Sequence, residues 1–254
     1  MIDLVVLAAG RGQRLGALGD TTPKWLLEVE GETIAERQLA AARLHHTSSA
    51  QVDSVHAVVG HAADACRSFA ARCPSPIELI ENPLYDELNN WYSLLLALRA
   101  LDERRAGQRL VVFNADLLAR PAWFASFLDA SAEQPGETLI AVDTQRPLTE
   151  ESMKVSGRDG HPDLLERVGK REVDAPVGEY VGMFMVAGTA RRMLREKLEA
   201  YVDSDLAVDH WYEQAIGDTA RDGLPWAIWP TPDSNWIEID DEADLESARE
   251  LDLR

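Results

Sequence analysis

Four stretches of this chain are apolar almost without a break: "IDLVVLAA" from Ile2, "VDSVHAVVG" from Val52, "IELIEN" from Ile77 and "RLVVFNAD" from Arg109. A strand that is apolar on both faces must be covered on both faces, which is the condition of parallel sheets flanked by helices. Helical patterns fall between these runs, among them "ETIAERQLAAARL" and "NNWYSLLLALRAL". The alternation predicts an α/β fold built on a doubly wound, mostly parallel sheet. With 254 residues, 46% of them hydrophobic, the chain is long enough for one such domain with a well-buried core.

After about residue 143 the texture changes. "SMKVSG", "PDLLERVGKREV" and "GEYVGMFMVAG" read as short strands joined by Gly/Asp-rich turns, ahead of helices near 189–201 and 207–216. The end, "WIEIDDEADLESARELDL", gives a last strand and a helix capped by Asp240 or Asp241. The expected organisation is a single domain over 1–254: a nucleotide-binding half over about 1–143, a small β-rich insertion over about 144–235, and a closing strand and helix over 236–254.

The first apolar run leads straight into a glycine-broken loop, "LVVLAAGRGQRLG". It is not a dinucleotide fingerprint, because Gly10 and Gly12 are followed by Leu15 at the sixth place, with Gly16 one place late. It is not a Walker loop either, since the nearby Lys24 stands between Pro23 and Trp25. What remains is a loop whose bare amides at Gly10 and Gly12 can approach an anion, with Arg11, Arg14 and Lys24 as phosphate partners. Triphosphate handling by another design is the expectation.

The formal charge of −19, from 44 acidic against 25 basic residues, argues against a nucleic-acid partner. Cys66 and Cys73 lack a zinc-type Cys/His setting and read as reduced thiols. The opening apolar run is too short for a leader, and no stretch approaches the ~20 apolar residues of a membrane span, so no membrane association and a cytoplasmic location are expected.

"LAAGRGQRLG" followed by "TPKWLLEVEG" resembles the signature of nucleotidyltransferases that join a nucleoside monophosphate to a sugar phosphate or phospho-alcohol. "NPLYDELNNWYSLLLAL" and "GEYVGMF…WIEID" are similar to the phosphocholine cytidylyltransferase-like branch, which includes enzymes that activate phosphonates. The resemblance spans residues 2 to about 250, and the chain stops without the hexapeptide-repeat domain that some relatives carry. It implies the Rossmann-like nucleotidyltransferase fold, with the insertion as an acceptor-binding lid. It implies CTP and a small phosphorylated or phosphonate acceptor as substrates, pyrophosphate as product, and a possible homo-oligomer; UTP or dTTP stays open.

Such a transfer is an in-line displacement at the α-phosphorus, so positioning and charge neutralisation dominate. Arg14 and Lys24 are the expected catalytic cations. Leu7, Ala8, Ala9, Gly10 and Gly12 are expected to hold the nucleotide, with Asn82, Asn89, Asn90 and Ser93 near the base and Asp116 close by. A Mg²⁺ ion takes one or two carboxylates with water and phosphate oxygens, and Asp116 and Asp240, each at the carboxyl end of a strand, are the candidates. Asp116 as a helix cap, Asp240 or Asp241 as the cap of the last helix, and Asn89 or Asn90 as a helix cap are the plain alternatives.

The resemblance places Lys154 and Lys170 near the acceptor phosphate, with Glu179 between glycines that allow close approach. Trp211, Tyr212, Trp226, Trp229 and Trp236 are available as aromatic faces for a quaternary ammonium or as core packing. Two rival classes are a non-catalytic regulatory subunit, disfavoured by the presence of Arg14, Lys24, Asp116 and Asp240, and a nicotinamide-dependent oxidoreductase, disfavoured by the failed glycine spacing and by Gly60 and His61 at the ribose position.

Overall fold

The computed structural model describes residues 1–44, 51–102, 108–204 and 207–253. Strand β1 (Ile2–Ala8) is followed by α1 (Gly16–Thr21), a small hairpin of β2 (Glu28–Val29) and β3 (Glu32–Thr33), and α2 (Ile34–Leu44). Next come β4 (Val52–Val59), α3 (Ala63–Ala70), β5 (Glu78–Glu81), α4 (Asn90–Asp102), β6 (Arg109–Asn114), β7 (Leu117–Ala119) and α5 (Pro121–Glu133). The rest runs β8 (Thr138–Asp143), β9 (Lys154–Arg158), β10 (His161–Gly169), β11 (Gly178–Val186), α6 (Gly188–Val202), α7 (Tyr212–Arg221), β12 (Ala227–Pro230), β13 (Trp236–Glu238) and α8 (Glu242–Ser247).

Nine strands form one sheet in the order β5-β4-β1-β6-β11-β8-β12-β10-β9. β1 is parallel to β4 and β6, and β5 continues the parallel array beside β4. All seven residues of β1 are buried, because alternate side chains enter different cores. Leu4 and Val6 join Trp25, Ile34, Phe124 and Phe127 on one face. Val5 and Leu7 join Leu94, Leu98, Leu194 and Ile216 on the other. Helices α2 and α5 thus cover one face and α4, α6 and α7 the other, and each fully buried aliphatic side chain adds roughly 1.5–3 kcal/mol.

The β-rich stretch after residue 143 joins this sheet. β11 is antiparallel to both β6 and β8 and lies between them. Eight of its nine residues are buried, Glu179 being the exception, so the run "YVGMFMV" has to be central. The division at residue 143 therefore falls inside one mixed sheet, parallel through β5-β4-β1-β6 and antiparallel where β11 enters. A bulge interrupts the β11–β8 register between Tyr180 and Phe184. It is centred on Gly182 at φ 78, where a Cβ would lie 2.8 Å from the Asn114 amide nitrogen, so only glycine fits.

Three local expectations change or resolve. The helix expected over 207–216 begins at Tyr212, because Trp211 is extended (φ −130, ψ 152) and caps it, leaving Ala207–Asp209 as a separate 3-10 turn. Asp241 caps α8, its Oδ1 accepting from the amides of Ala243 at 2.8 Å and Asp244 at 3.0 Å. Arg120, not Asp116, occupies the N-cap of α5. Both Asp116 and Asp240 are thereby free of capping duty. Among the described residues no helix is long and apolar enough to cross a membrane.

Candidate active site

The site begins where β1 ends. Gly12 has φ 59 and ψ 34, a left-handed conformation costly for any residue with a Cβ. A Cβ there would also sit 3.3 Å from Leu15 Cδ1 and 3.4 Å from Lys24 Cγ. Helix α1 folds back so closely that a Cβ on Gly19 would stand 2.4 Å from the Gly12 carbonyl oxygen. Buried Leu15 anchors the turn. Leu7, Ala8, Ala9, Gly10 and Gly12 line a cleft of about 930 Å³ at the carboxyl ends of β1 and β6, where open α/β sheets bind ligands.

The floor of the cleft is a charge cluster assembled from three parts of the chain. Lys24 Nζ donates to Asp116 Oδ2 at 3.0 Å and to Asp240 Oδ1 at 2.5 Å. Arg14 Nη2 lies 2.7 Å from Asp240 Oδ2. Asp116 follows β6, and the short antiparallel pair β7–β13 carries Asp240 to it: Glu238 pairs with Leu117, and the Ile239 amide donates to the Asp116 carbonyl at 3.0 Å. Burial opposes the charge on Lys24, but Asp116 and Asp240 together outweigh it and raise its pKa, so the ammonium is permanent. Burial would also raise Asp240, yet Lys24 and then Arg14 hold it below its usual value.

A divalent metal fits this donor set. An ammonium already sits between two carboxylates that present hard oxygen ligands to one point, and Mg²⁺ accepts as few as one or two carboxylates when phosphate oxygens and water complete its shell. Among the described residues no group of three or more His, Cys, Asp or Glu could hold a metal ion, so the substrate's oxygens would have to supply the remainder.

The four residues expected near the base all line the cleft, but their side chains are committed to one another and to neighbouring elements. Asn82 Nδ2 donates to Ser93 Oγ at 2.9 Å, and Asn82 Oδ1 accepts from the Leu84 amide at 2.9 Å, fixing the turn ahead of α4. Asn89 Nδ2 donates to the Val208 carbonyl at 2.6 Å. Asn90 Oδ1 accepts from the Tyr212 amide at 3.0 Å. Their shared effect is to tie the α4 N-terminus to β5 and to the start of α7.

On the far side, Lys170 lines the cleft and pairs with Glu151 at 3.0 Å. Lys154 does not line it. Its Nζ turns to the carbonyls of Glu150, Ser152 and Lys170 at 3.3, 3.4 and 3.1 Å, because β9 is the sheet edge beside that loop. Glu179 lines the cleft, and burial raises its pKa. Of the aromatic candidates, Trp226 packs on Phe184, and Trp229 on Trp123 and Phe127, as core. Trp236 lines the cleft, with its indole bonded to Asp143 Oδ2 at 2.8 Å and the Arg146 guanidinium 4.3 Å above its ring. Trp211 lines the cleft with 43% of its surface exposed. Buried Tyr212 donates to Asn114 Oδ1 at 2.8 Å and its hydroxyl pairs with that of Tyr180 at 3.0 Å.

Sequence reasoning missed Glu213 and Glu238, which both line the cleft. Burial pushes Glu213 up to about 7. Desolvation, followed by the nearby Asp116 and Asp240, pushes Glu238 well above the carboxylate range. Glu213 carried a signal: it stands on the buried face of α7 together with Ile216, Gly217 and Ala220, a charged residue in helical phase with apolar ones. Cys66 is buried, with its thiol pushed up to about 11 by burial, and it lies among the apolar side chains of one core.

A family model described as the MobA-like NTP transferase domain matches residues 4–215. The chain is 31% identical over 253 residues to the CMP-5'-(3-aminopropyl)phosphonate synthase of Streptomyces rubellomurinus, covering 96% of this chain but only 38% of that relative's length. It is 32% identical over 250 residues to the 2-aminoethylphosphonate cytidylyltransferase of Lancefieldella rimae, covering 95% of this chain and 89% of the relative. The CTP:phosphocholine cytidylyltransferase of Streptococcus pneumoniae superposes with a TM-score of 0.74 at 20% identity, covering 98% of each chain. That last likeness bears on the fold.

Proposed function

The chain belongs to the MobA-like NTP transferase family, and on that footing we propose that it transfers CMP from CTP to a small phosphonate or phospho-alcohol acceptor and releases pyrophosphate. The observation that carries the reading is the Lys24 ammonium held between Asp116 and Asp240 at the foot of the glycine-broken loop. The curated relatives named for cytidylyl transfer to aminoalkylphosphonates narrow the class.

In this reading an oxygen of the acceptor's phosphonate or phosphate attacks the α-phosphorus of CTP. The new P–O bond forms as the bond to the β-phosphate bridging oxygen breaks, and that oxygen leaves with pyrophosphate. The amides around Gly10 and Gly12 bind the triphosphate, and Gly10 leaves open space above its Cα for close approach. Arg14, with 68% of its side chain exposed, swings between Asp240 and a phosphate. Lys24 neutralises charge that builds on the α-phosphoryl oxygens, in a position fixed by its two carboxylates. The α4 N-terminus, held in place by the contacts of Asn89 and Asn90, orients the base, and Lys170 meets the acceptor's anionic end. Asp116 and Asp240 would hold a Mg²⁺ ion, which when bound supplies Lewis-acid stabilisation of the phosphoryl oxygens.

Pyrophosphate release is the test, measured with each of the four nucleoside triphosphates plus Mg²⁺ against a panel of phosphocholine, 2-aminoethylphosphonate and sugar phosphates. Release with CTP and a phosphonate or phospho-alcohol is the expected result. Use of UTP or dTTP would correct the base, and inactivity of every combination would remove the reading.

A further inference from the structure

Glu213 is 5% exposed and sits where the main cleft meets a second cavity of about 770 Å³, lining both. Its partner is neutral: Asn90 Nδ2 at 3.2 and 3.4 Å. It forms no ion pair among the described residues. A carboxylate taken out of water without a counter-ion is costly, and buried charges are ordinarily paired. Here the side chain faces a cavity, so the missing partner can come from a ligand.

The chemistry of that ligand follows from the surroundings. Glu179 and Glu238 also line the main cleft, and Glu238 feels the charges of both Glu213 and Glu179, so an anionic group on that side of Glu213 would be repelled; the cations Arg167, Lys170, Arg171 and Arg221 line the second cavity. The Glu213 oxygens meet only the Asn90 amide, unlike Asp116 and Asp240, which converge on one ammonium, so a metal ion is the poorer fit here. An organic cation fits better. Asn90 holds the Glu213 carboxyl in place while its own Oδ1 is bound to the Tyr212 amide, which leaves a carboxyl in fixed orientation suited to an N–H donor. Trp211, 43% exposed, lines both cavities together with Glu213, and an indole is a good neighbour for a cation.

We propose that Glu213 is the counter-ion for a primary ammonium on the acceptor, so that the acceptor is a zwitterion with its phosphonate or phosphate at the metal end of the cleft and its amine at Glu213. This rests on the proposed transfer reaction and names the acceptor that reaction takes.

The test compares 2-aminoethylphosphonate with ethylphosphonate, the same molecule without its amine, for wild type and Glu213→Gln at saturating CTP. Wild type should prefer the aminoalkyl acceptor in kcat/KM by about 30-fold or more, carried mainly by KM, the scale of a desolvated charge pair. In Glu213→Gln that ratio should collapse toward one. An unchanged ratio in the variant, or a wild-type ratio near one, would overturn the assignment. Should the variant fail to fold, N-acetylated 2-aminoethylphosphonate tests wild type directly: loss of the same factor supports the pairing, and equal use of the neutral amide overturns it. Absence of pyrophosphate release with every nucleotide and acceptor is a different result, which removes the transfer reaction and this inference with it.

Discussion

Lys24 and Asp240 are 216 positions apart in the chain, yet Nζ and Oδ1 lie 2.5 Å apart at the floor of the cleft. The same ammonium reaches Asp116 at 3.0 Å. One cation thus spans two carboxylates that would otherwise repel each other, and the first substitutions to make are at this point.

Lys24→Met should lower kcat/KM for nucleotidyl transfer by about a hundredfold or more, the scale of removing one preorganised charge from a transition state. It should also destabilise the fold by about 1–2 kcal/mol, less than the loss of a fully buried pair, because the two carboxylates keep 26% and 33% of their side-chain exposure and can rehydrate. Steady-state kinetics with urea denaturation measures both. A variant that keeps wild-type turnover would reduce Lys24 to a structural ion pair.

Asp116→Asn and Asp240→Asn should each fold and each lower turnover by on the order of a hundredfold. If both hold the metal, each should also raise the Mg²⁺ concentration needed for half-maximal rate. Mn²⁺ binding followed by electron paramagnetic resonance gives a readout independent of turnover. Wild-type metal affinity in one variant would remove that residue from the ligand set.

Lys170 and Lys154 should separate. Lys170 lines the cleft and is 46% exposed at its side chain, so Lys170→Ala should raise the acceptor KM and leave CTP binding nearly unchanged. Lys154 is engaged by three backbone carbonyls, so Lys154→Ala should leave the acceptor KM at its wild-type value. Acceptor titrations of both variants, with CTP calorimetry alongside, decide the matter; equal effects from the two would mean the carbonyl contacts open on binding.

Stability should depend on pH through Glu213 and Asp240 in opposite senses. Glu213, raised from 4.5 to about 7, keeps a proton in the folded protein that the unfolded chain releases. Its contribution to stability therefore falls as pH rises through that window, by a total of about 3 kcal/mol at most. Asp240 is held below its ordinary value, so its contribution is present above that value and is lost as pH falls through the folded one. Glu213→Gln should consequently gain stability relative to wild type between about pH 5 and pH 8. Urea midpoints at the two ends check this, and a constant difference would show that Glu213 titrates normally.

The frame of the molecule was legible because its signals are local. Predominantly apolar runs at Ile2–Ala8 and Arg109–Asn114 became central parallel strands, and the glycine loop after the first of them lines the cleft. The "YVGMFMV" run looked like part of an insertion because its neighbours in sequence are polar turns. The place of β11 between β6 and β8 depends on pairing partners 36 residues away at Asp143 and as far as 76 away at Leu110, and no local pattern encodes a pairing.

The site divides in the same way. Places at strand ends pointed to Asp116 and Asp240, and places after the glycine loop and after Pro23 pointed to Arg14 and Lys24, since phosphate chemistry needs cations and hard oxygens. That Asp240 faces Lys24 while Asp241 caps α8 was open in the sequence, where both stand after the last strand. The β7–β13 pairing decided it, by fixing which carboxylate points to the cleft and which to the helix amides. Lys154 and Glu213 show the same limit. One is a lysine drawn to edge-strand carbonyls and the other a glutamate buried beside Asn90 from a helix more than a hundred residues earlier. By itself the sequence determined the layered sheet, the glycine-broken loop after its first strand and the signature of a nucleotidyltransferase. Only the tertiary structure decided which charges meet, because Coulomb and hydrogen-bond energies depend on separations of a few ångströms that strand pairing and helix docking set.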